Sequence, residues 1–317
     1  MTATPPDAAD DQATQVFVDH RELLFAVVYN MLGSVTDTED VLQEVWLSWS
    51  PRRHRTADAQ PIDNARAYLV RIAMNQALAR RAAISRRQET YVGSWLPEPI
   101  LTPGPDGDDP SETAVRTESF SMAVLVVLET LSPLERAVFV LHEVFGYPHT
   151  EIADILDRSP AAVRQLAHRA RGHVQARRPR HQTDLTVRAE VTKRFADAAL
   201  GGDLPALLEI LAPDVTLWTD GGGKGPAVSL RPVHGPNKVA RVFGLVAAGL
   251  TPGELDLRYR YVNGDPSALL FSGDCPIGAV VLDLTPDGTL IQGIYSVTNP
   301  DKLRGLAPHP EPPSADL

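Results

Sequence analysis

LSPLERAVFVLHEVFGYPHTEIADILDRSPAAVRQLAHRAR, residues 131–171, is the stretch on which the fold reading turns. Ser132, Pro133 and Glu135 spell a helix start: Ser accepts from the third amide, Pro suits the first turn, and Glu reaches back to the cap. Gly146 supplies the stop. Thr150 is placed to cap a short helix ending at Leu156, Asp157-Arg158-Ser159 makes a turn, and Ser159 with Pro160 opens a helix to about Arg171. Two helices around a three-residue turn make a helix-turn-helix. In the second helix Val163, Leu166 and Ala167 face inward, whereas Arg164, Gln165, His168, Arg169 and Arg171 face out. Arg suits guanine edges or phosphate, Gln suits adenine, and a helix N-terminus attracts phosphate. A solvated basic face on a helical hairpin is the plainer reading, but the tight turn and paired caps favour DNA.

Upstream, apolar positions recur at three and four through residues 15–92: Phe17, Leu24, Val27 and Met31, then Val41, Leu42, Val45, Trp46 and Trp49. Gly33-Ser34 breaks these two helices, and a third runs from about Asn64 into Arg80-Arg81. The second begins with Asp37, Glu39, Asp40, Gln43 and Glu44. Carboxylates there suit the positive end of the helix dipole. Asp40, Gln43, Glu44 and Leu47 also share a face, so an acidic ridge ending in an apolar knob fits a basic protein partner equally well. The third helix carries Arg66, Arg71, Asn75, Arg80, Arg81, Arg86 and Arg87 near Tyr68, Tyr91 and Trp95. Cations interleaved with rings suit single-stranded nucleic acid, and a basic solvent face with Tyr68 in the core is the alternative.

The formal charge of −10 conceals segregation. Residues 1–50 hold one Arg against nine acids, and 51–92 hold nine Arg against three acids. Residues 164–194 hold nine basic side chains against two acidic, so a polyanionic partner is not excluded by the total. One cysteine, Cys275, cannot make an internal disulfide, fits a reducing cytoplasm and reads as a packing residue. No apolar run approaches the roughly 18 residues of a membrane span, and the acidic start is unlike a signal peptide.

Residues 93–110, GSWLPEPILTPGPDGDDP, contain five prolines and three glycines and read as an extended linker. Trp95 and Leu96 fit docking onto a neighbouring surface rather than spacing alone. From Asp184 a helix with Val187, Val191, Phe195 and Ala199 precedes a Gly201-Gly202 turn and a short helix ending near Pro213. Strands then read at 255–261, 268–272, 279–284 and 290–297, with Asp265-Pro266 and Asp287-Gly288 as turns. Two helices on a curved antiparallel sheet form an α+β cone or half-barrel. Asp220, His234, Asp283 and Tyr295 are the side chains there that could line a catalytic pocket, yet no paired acid and base stands at a diagnostic spacing. Asp220 to Lys224, DGGGK, superficially suggests a phosphate loop, but Gly225-Pro226 follows where a Ser or Thr and a helix are required, so nucleotide binding is rejected.

The block HRELLFAVVYNMLGSVTDTEDVLQEVWLSW (20–49) resembles region 2 of the extracytoplasmic-function (ECF) sigma factors, and residues 131–171 resemble their region 4. YVGSWLPEP (91–99), DGGGK (220–224) and NPDKL (299–303) resemble the subgroup bearing a C-terminal SnoaL-like domain, the actinobacterial SigJ type. The resemblance implies a multidomain chain: two all-α sigma domains, a region 2 helical bundle and a region 4 helix-turn-helix, followed by an α+β SnoaL/NTF2-like cone. The expected boundaries are a disordered start at 1–14, region 2 at 15–92, a Pro-rich linker at 93–111, region 4 at 112–182, the cone at 183–304 and a Pro-rich tail at 305–317.

By the same resemblance Asp37, Asp40, Gln43, Glu44 and Trp46 belong to the surface that binds core RNA polymerase. Residues 64–87, with Arg71, Asn75, Arg80, Arg81 and Arg87, melt and read the promoter −10 element. Ser159, Arg164, Gln165, His168, Arg169 and Arg171 read the −35 element. Trp95, Leu96 and Pro97 of the linker, Asp220, Gly222 and Lys224, and Asn299, Pro300, Asp301 and Lys302 are expected to form one regulatory contact patch acting in cis. The expectation is a cytoplasmic transcription factor without catalysis, cofactor, metal or membrane association, monomeric when free. Its rivals are a helix-turn-helix regulator acting without polymerase and a SnoaL-like enzyme fused to a DNA-binding region.

Overall fold

The computed structural model describes residues 6–54, 62, 64–104, 121–177, 183–226, 229–249 and 255–307. These separate into two compact units, one holding 6–90 and 124–177, the other 91–104, 121–123 and 183–307. The chain therefore enters the second unit at Tyr91, is back in the first from Val124, and leaves it again.

In the first unit α1 (Pro6–Leu32), α2 (Val35–His54) and α3 (Ala65–Glu89) form a bundle. The start expected to be disordered to residue 14 is helical from Pro6, and Trp49 Nε1 donates to the carbonyl of Ala13 at 2.9 Å, tying α2 to it. Gly33, at φ 66°, ends α1, and Ser34 Oγ accepts from the Asp37 amide at 3.3 Å to start α2. Asn64 caps α3 by accepting from Ala67 N–H at 3.0 Å. Leu24, Val27, Trp49, Leu69 and Met74 fill the bundle interior without solvent exposure.

The rest of this unit is α4 (Met122–Leu128) from Val124 onward, α5 (Pro133–Phe139), a π-helical turn (Val140–Val144), α6 (His149–Leu156) and α7 (Pro160–Arg177). Both halves of the Ser132/Glu135 capping box are present, and Gly146 sits at φ 66° just past the π turn. Thr150 is not the cap of α6. Pro148 occupies that position and lends no side-chain bond. Asp157, at φ 52°, makes the sharp turn, and Ser159 Oγ accepts from Ala162 N–H at 3.2 Å to open α7.

In the second unit α8 (Leu185–Gly201) and α9 (Leu204–Ile210) lead into β2 (Leu211–Asp220), and β3 (Val233–His234) leads into α10 (Pro236–Gly249). Then follow β4 (Asp256–Val262), β5 (Asp265–Ser272), β6 (Cys275–Leu284), β7 (Ile291–Val297) and the short α11 (Pro300–Leu303). With β1 (Leu101–Thr102) from the linker they make a seven-stranded sheet, ordered β1-β4-β5-β6-β7-β2-β3. Neighbours are antiparallel except β2 and β7, so the sheet is mixed rather than wholly antiparallel. Phe195, Leu207, Val239, Val280 and Ile294 fill the core between helices and sheet.

Four expectations change here. The stretch beyond Leu211 is strand, and α10 adds a third helix to the expected pair. The β4–β5 turn is Asn263-Gly264, both at positive φ (52° and 76°), the geometry of a tight hairpin; Asp265 and Pro266 already belong to β5. Cys275 is exposed at the start of β6 rather than packed. The tail from 308, the linker from 105 to 111, residues 112–120 and 178–182, and the first five residues lie outside the described residues.

Candidate functional site

On α7 the apolar stripe Val163, Leu166, Ala167 and Ala170 is buried, which turns Arg164, Gln165 and His168 outward to line a shallow depression with Arg169. Two of the expected DNA readers are engaged elsewhere. Arg169 Nε donates to Glu135 at 2.7 Å, and Arg171 Nε donates to Glu143 at 2.6 Å, so both brace α7 against the preceding helical segment. Burial would raise the Glu135 carboxyl, but hydrogen bonds from Arg169 and Ser132 pull it below its usual range.

The α2 acids and the α3 arginines, expected to serve different partners, meet each other. Arg80 Nε donates to Asp37 at 2.8 Å and its other arm pairs with Asp40; Arg87 donates to both Asp37 oxygens at 2.8 and 2.9 Å. Asp37, expected on the polymerase-binding surface, is only 4% exposed. Burial works against its charge, yet the bonds from Arg87 and Arg80 leave its carboxyl below the normal value. Gln43, Glu44 and Leu47 are exposed, and Trp46 is half-buried against Phe17, ring centroids 5.3 Å apart. Arg71 and Asn75 are exposed on α3.

Arg81 leaves the DNA-facing set altogether: it is 4% exposed and holds Glu129 through Nη2 at 2.6 Å. Glu129 also accepts from Arg136 at 2.6 Å and from Gln88 at 3.0 Å, while Arg136 Nε donates to the Asn30 carbonyl at 2.9 Å. One carboxylate thus joins α1, α3 and α5. Burial alone would raise its pKa, but the charges of Arg136 and Arg81 hold it down at about 2. The sequence signal for this hub is Arg136 inside the apolar run of α5.

In the second unit the three unusual segments come together. Asp220, fully buried, accepts from Tyr91 Oη, from the Leu96 amide at 2.9 Å and from Lys302 Nζ at 2.7 Å. Lys302 also donates to the Leu96 carbonyl and lies 3.6 Å from the Trp95 ring centroid, so a buried cation is met by a carboxylate, a carbonyl and a π face. Asn299 caps α11 at the Asp301 amide and donates to Tyr91 Oη at 2.7 Å. Pro300 is the first residue of that helix, and Lys224 pairs with Asp301 at the rim. Gly222, at φ 58°, lies where a Cβ would strike the Asn299 amide and Tyr91 Oη. Burial and the Asp220 charge push the Tyr91 phenol above its usual value, which keeps it a donor. Leu96 and Pro97 are buried, and Ile100 exchanges bonds with Asn263 as β1 joins β4. Tyr91, quoted within its motif but absent from the expected patch, is central to this clamp.

The pocket side chains weighed for catalysis are dispersed. Asp220 is committed to the clamp, His234 Nδ1 bonds Thr216 at 3.0 Å, Asp283 accepts from Gln292 at 3.1 Å, and Tyr295 stacks on Trp218 at 5.1 Å. Among the described residues no cluster of His, Cys, Asp and Glu could hold a metal, and no helix is long and apolar enough to cross a membrane.

A helical bundle and a helix-turn-helix with a basic outer face, followed by an α+β cone, make up the multidomain architecture that the resemblance to sigma factors leads one to expect. Sigma-70 region 2 matches residues 16–87 and sigma-70 region 4 matches residues 121–174. Over 299 residues the chain is 36% identical to the ECF RNA polymerase sigma factor SigJ of Mycobacterium tuberculosis (strain ATCC 25618 / H37Rv), covering 90% of this chain and 91% of the relative. The crystal structure of Mycobacterium tuberculosis SigJ superposes with a TM-score of 0.69 at 35% identity, covering 92% of this chain and 98% of that one. The chain belongs to the ECF RNA polymerase sigma factor family, whose members are initiation factors rather than enzymes.

Proposed function

We propose that the chain binds core RNA polymerase and directs it to promoters, that α7 reads the −35 element through Arg164, Gln165 and His168, and that exposed α3 side chains including Arg71 and Asn75 engage the −10 element. Gln43, Glu44, Leu47 and the half-buried Trp46 form the docking surface for polymerase, with Asp40 at its edge. The free chain is a monomer, and the clamp in the second unit regulates it in cis. The observation that carries the reading is α7 itself: its inner stripe is buried and two of its arginines are tied down, while among the described residues Arg164, Gln165 and His168 form an exposed polar row at its N-terminal half, where recognition helices present base-reading side chains. The test is run-off transcription on a library of promoter sequences with core polymerase plus this chain. Template-specific transcripts that require both components support the reading. Specific duplex binding by the chain alone, with no transcripts from the pair at any sequence, would instead identify a stand-alone regulator.

A further inference from the structure

Between the π-helical turn and α6 the imidazoles of His142 and His149 stack, with ring centroids 4.3 Å apart and planes inclined by 25°. His142 Nδ1 lies 2.9 Å from the Tyr147 carbonyl. A carbonyl only accepts, so Nδ1 carries the proton and His142 Nε2 is left as a lone pair. His149 Nε2 is buried and has no hydrogen-bond partner among the described residues. The stack therefore suits two neutral rings. A second proton on His149 puts N–H on both of its nitrogens, and the buried Nε2 becomes a charged donor without an acceptor.

The surroundings also oppose that proton. After burial, the charges of His142, Arg171 and Arg164 act against it; Glu143 acts in its favour but is already engaged by Arg171 Nε at 2.6 Å. None of these charges belongs to α1 or α3, which pack on the π turn and on α6 respectively. From α3 it is Arg66 that reaches the region, its guanidinium 5.6 Å from the centroid of the Tyr147 ring. The contacts run in series: His149 on His142, His142 on the Tyr147 carbonyl, Arg66 on the Tyr147 ring. They join the start of α6 to the first turn of α3.

We propose that this stack is an acid-labile joint: when His149 takes up a proton from solvent the rings part, and the attachment of the helix-turn-helix to α3 loosens. Histidine is the side chain whose ordinary range allows this in mildly acid solution. Burial and the neighbouring cations hold His149 below its ordinary pKa of 6.5 in the folded chain. The contribution of the stack is therefore complete above about pH 6.5 and is lost as the pH falls through the folded value. The inference concerns the free chain and does not rest on the promoter reading.

The experiment compares the full chain with His149→Phe, which keeps a ring for stacking and cannot titrate, and with His149→Gln as a second non-titrating variant. Circular dichroism identifies which variants are folded; either one suffices, and the wild-type titration stands without them. Imidazole proton NMR is recorded from about pH 7.5 to about pH 5.5. Over the same range amide exchange is followed at Ile152, bonded to the Pro148 carbonyl at 3.1 Å, and at Tyr68, bonded to the Asn64 carbonyl at 3.1 Å, with correction for the intrinsic pH dependence of exchange. In the wild type His149 is expected to titrate below 6.5, and opening at both amides to rise about twofold or more toward the acid end, while the folded variants stay flat. A His149 titration at or above 6.5, protection that does not change with pH, or the same rise in a folded variant would overturn the assignment.

Discussion

Asp37 shows how a charge read as surface becomes structure. Its position in the first turn of α2 fits a dipole-stabilising carboxylate, and that much is legible from spacing. What spacing does not carry is that Arg80 and Arg87, more than 40 residues on, converge on it. Glu129 is the stronger case because both its arginine partners are buried. Its folded-state pKa of about 2 lies below the unfolded value, so the stabilisation is fully present above about pH 4.5 and is lost as pH falls through about 2. Glu129→Gln is expected to destabilise the first unit by ~3 kcal/mol at pH 7, as broken buried pairs do. Amide exchange of α3 and α5 reads this, and the deficit relative to wild type is expected to shrink as the pH approaches 2. A deficit that stays constant down to pH 2 would show that the carboxylate charge is not what joins these helices.

At the scale of elements, α7 separates two kinds of arginine. Arg164→Ala removes an exposed side chain and is expected to leave stability unchanged while costing about 1–3 kcal/mol of promoter affinity and relaxing preference at one base position. Arg169→Ala removes a partner of Glu135 and is expected to destabilise the α5–α7 packing by about 1 kcal/mol, with smaller effects on base preference. Holoenzyme binding to a set of single-base promoter variants, with denaturant melts of both proteins, separates the two; identical specificity profiles would remove Arg164 from base reading. The helix-turn-helix was legible because capping and turn residues are local signals. The cone was less so. Pro236 behind Gly235, with Val239, Val242, Phe243 and Val246 at helical spacing, is the local mark of α10, which the count of two helices leaves out. Asn263-Gly264 marked a hairpin more strongly than Asp265-Pro266, since only the former pair tolerates two positive φ values. The pairing of β1 with β4 joins residues about 160 apart and has no local signature at all.

At the scale of the molecule, connectivity gives the clamp its reach. The chain between the region 2 helices and the region 4 helices passes through the second unit, where Leu96 is bonded at both its amide and its carbonyl, to Asp220 and Lys302 respectively. Any loss of that grip adds residues 91–102 to the segment joining the two parts proposed to read DNA, which changes the spacings they can span and their effective concentration on a promoter. Lys302→Met removes the charge that balances Asp220 and leaves a buried carboxylate with neutral donors only, at a cost of about 3–5 kcal/mol to the second unit. Gly222→Ala is the milder change, forcing a side chain into the left-handed region and against Asn299 and Tyr91, and is expected to cost about 1–2 kcal/mol. Both are expected to raise hydrogen exchange at the Leu96 and Ile100 amides, by about fivefold or more, while α1 to α3 keep their protection. Both are also expected to alter run-off yield most on promoters whose −35 to −10 spacing departs from the preferred one, because a freed tether relaxes the spacing requirement. If exchange at Leu96 rises and the spacing profile stays fixed, the clamp is a folding device of the cone and not a regulator of the sigma domains.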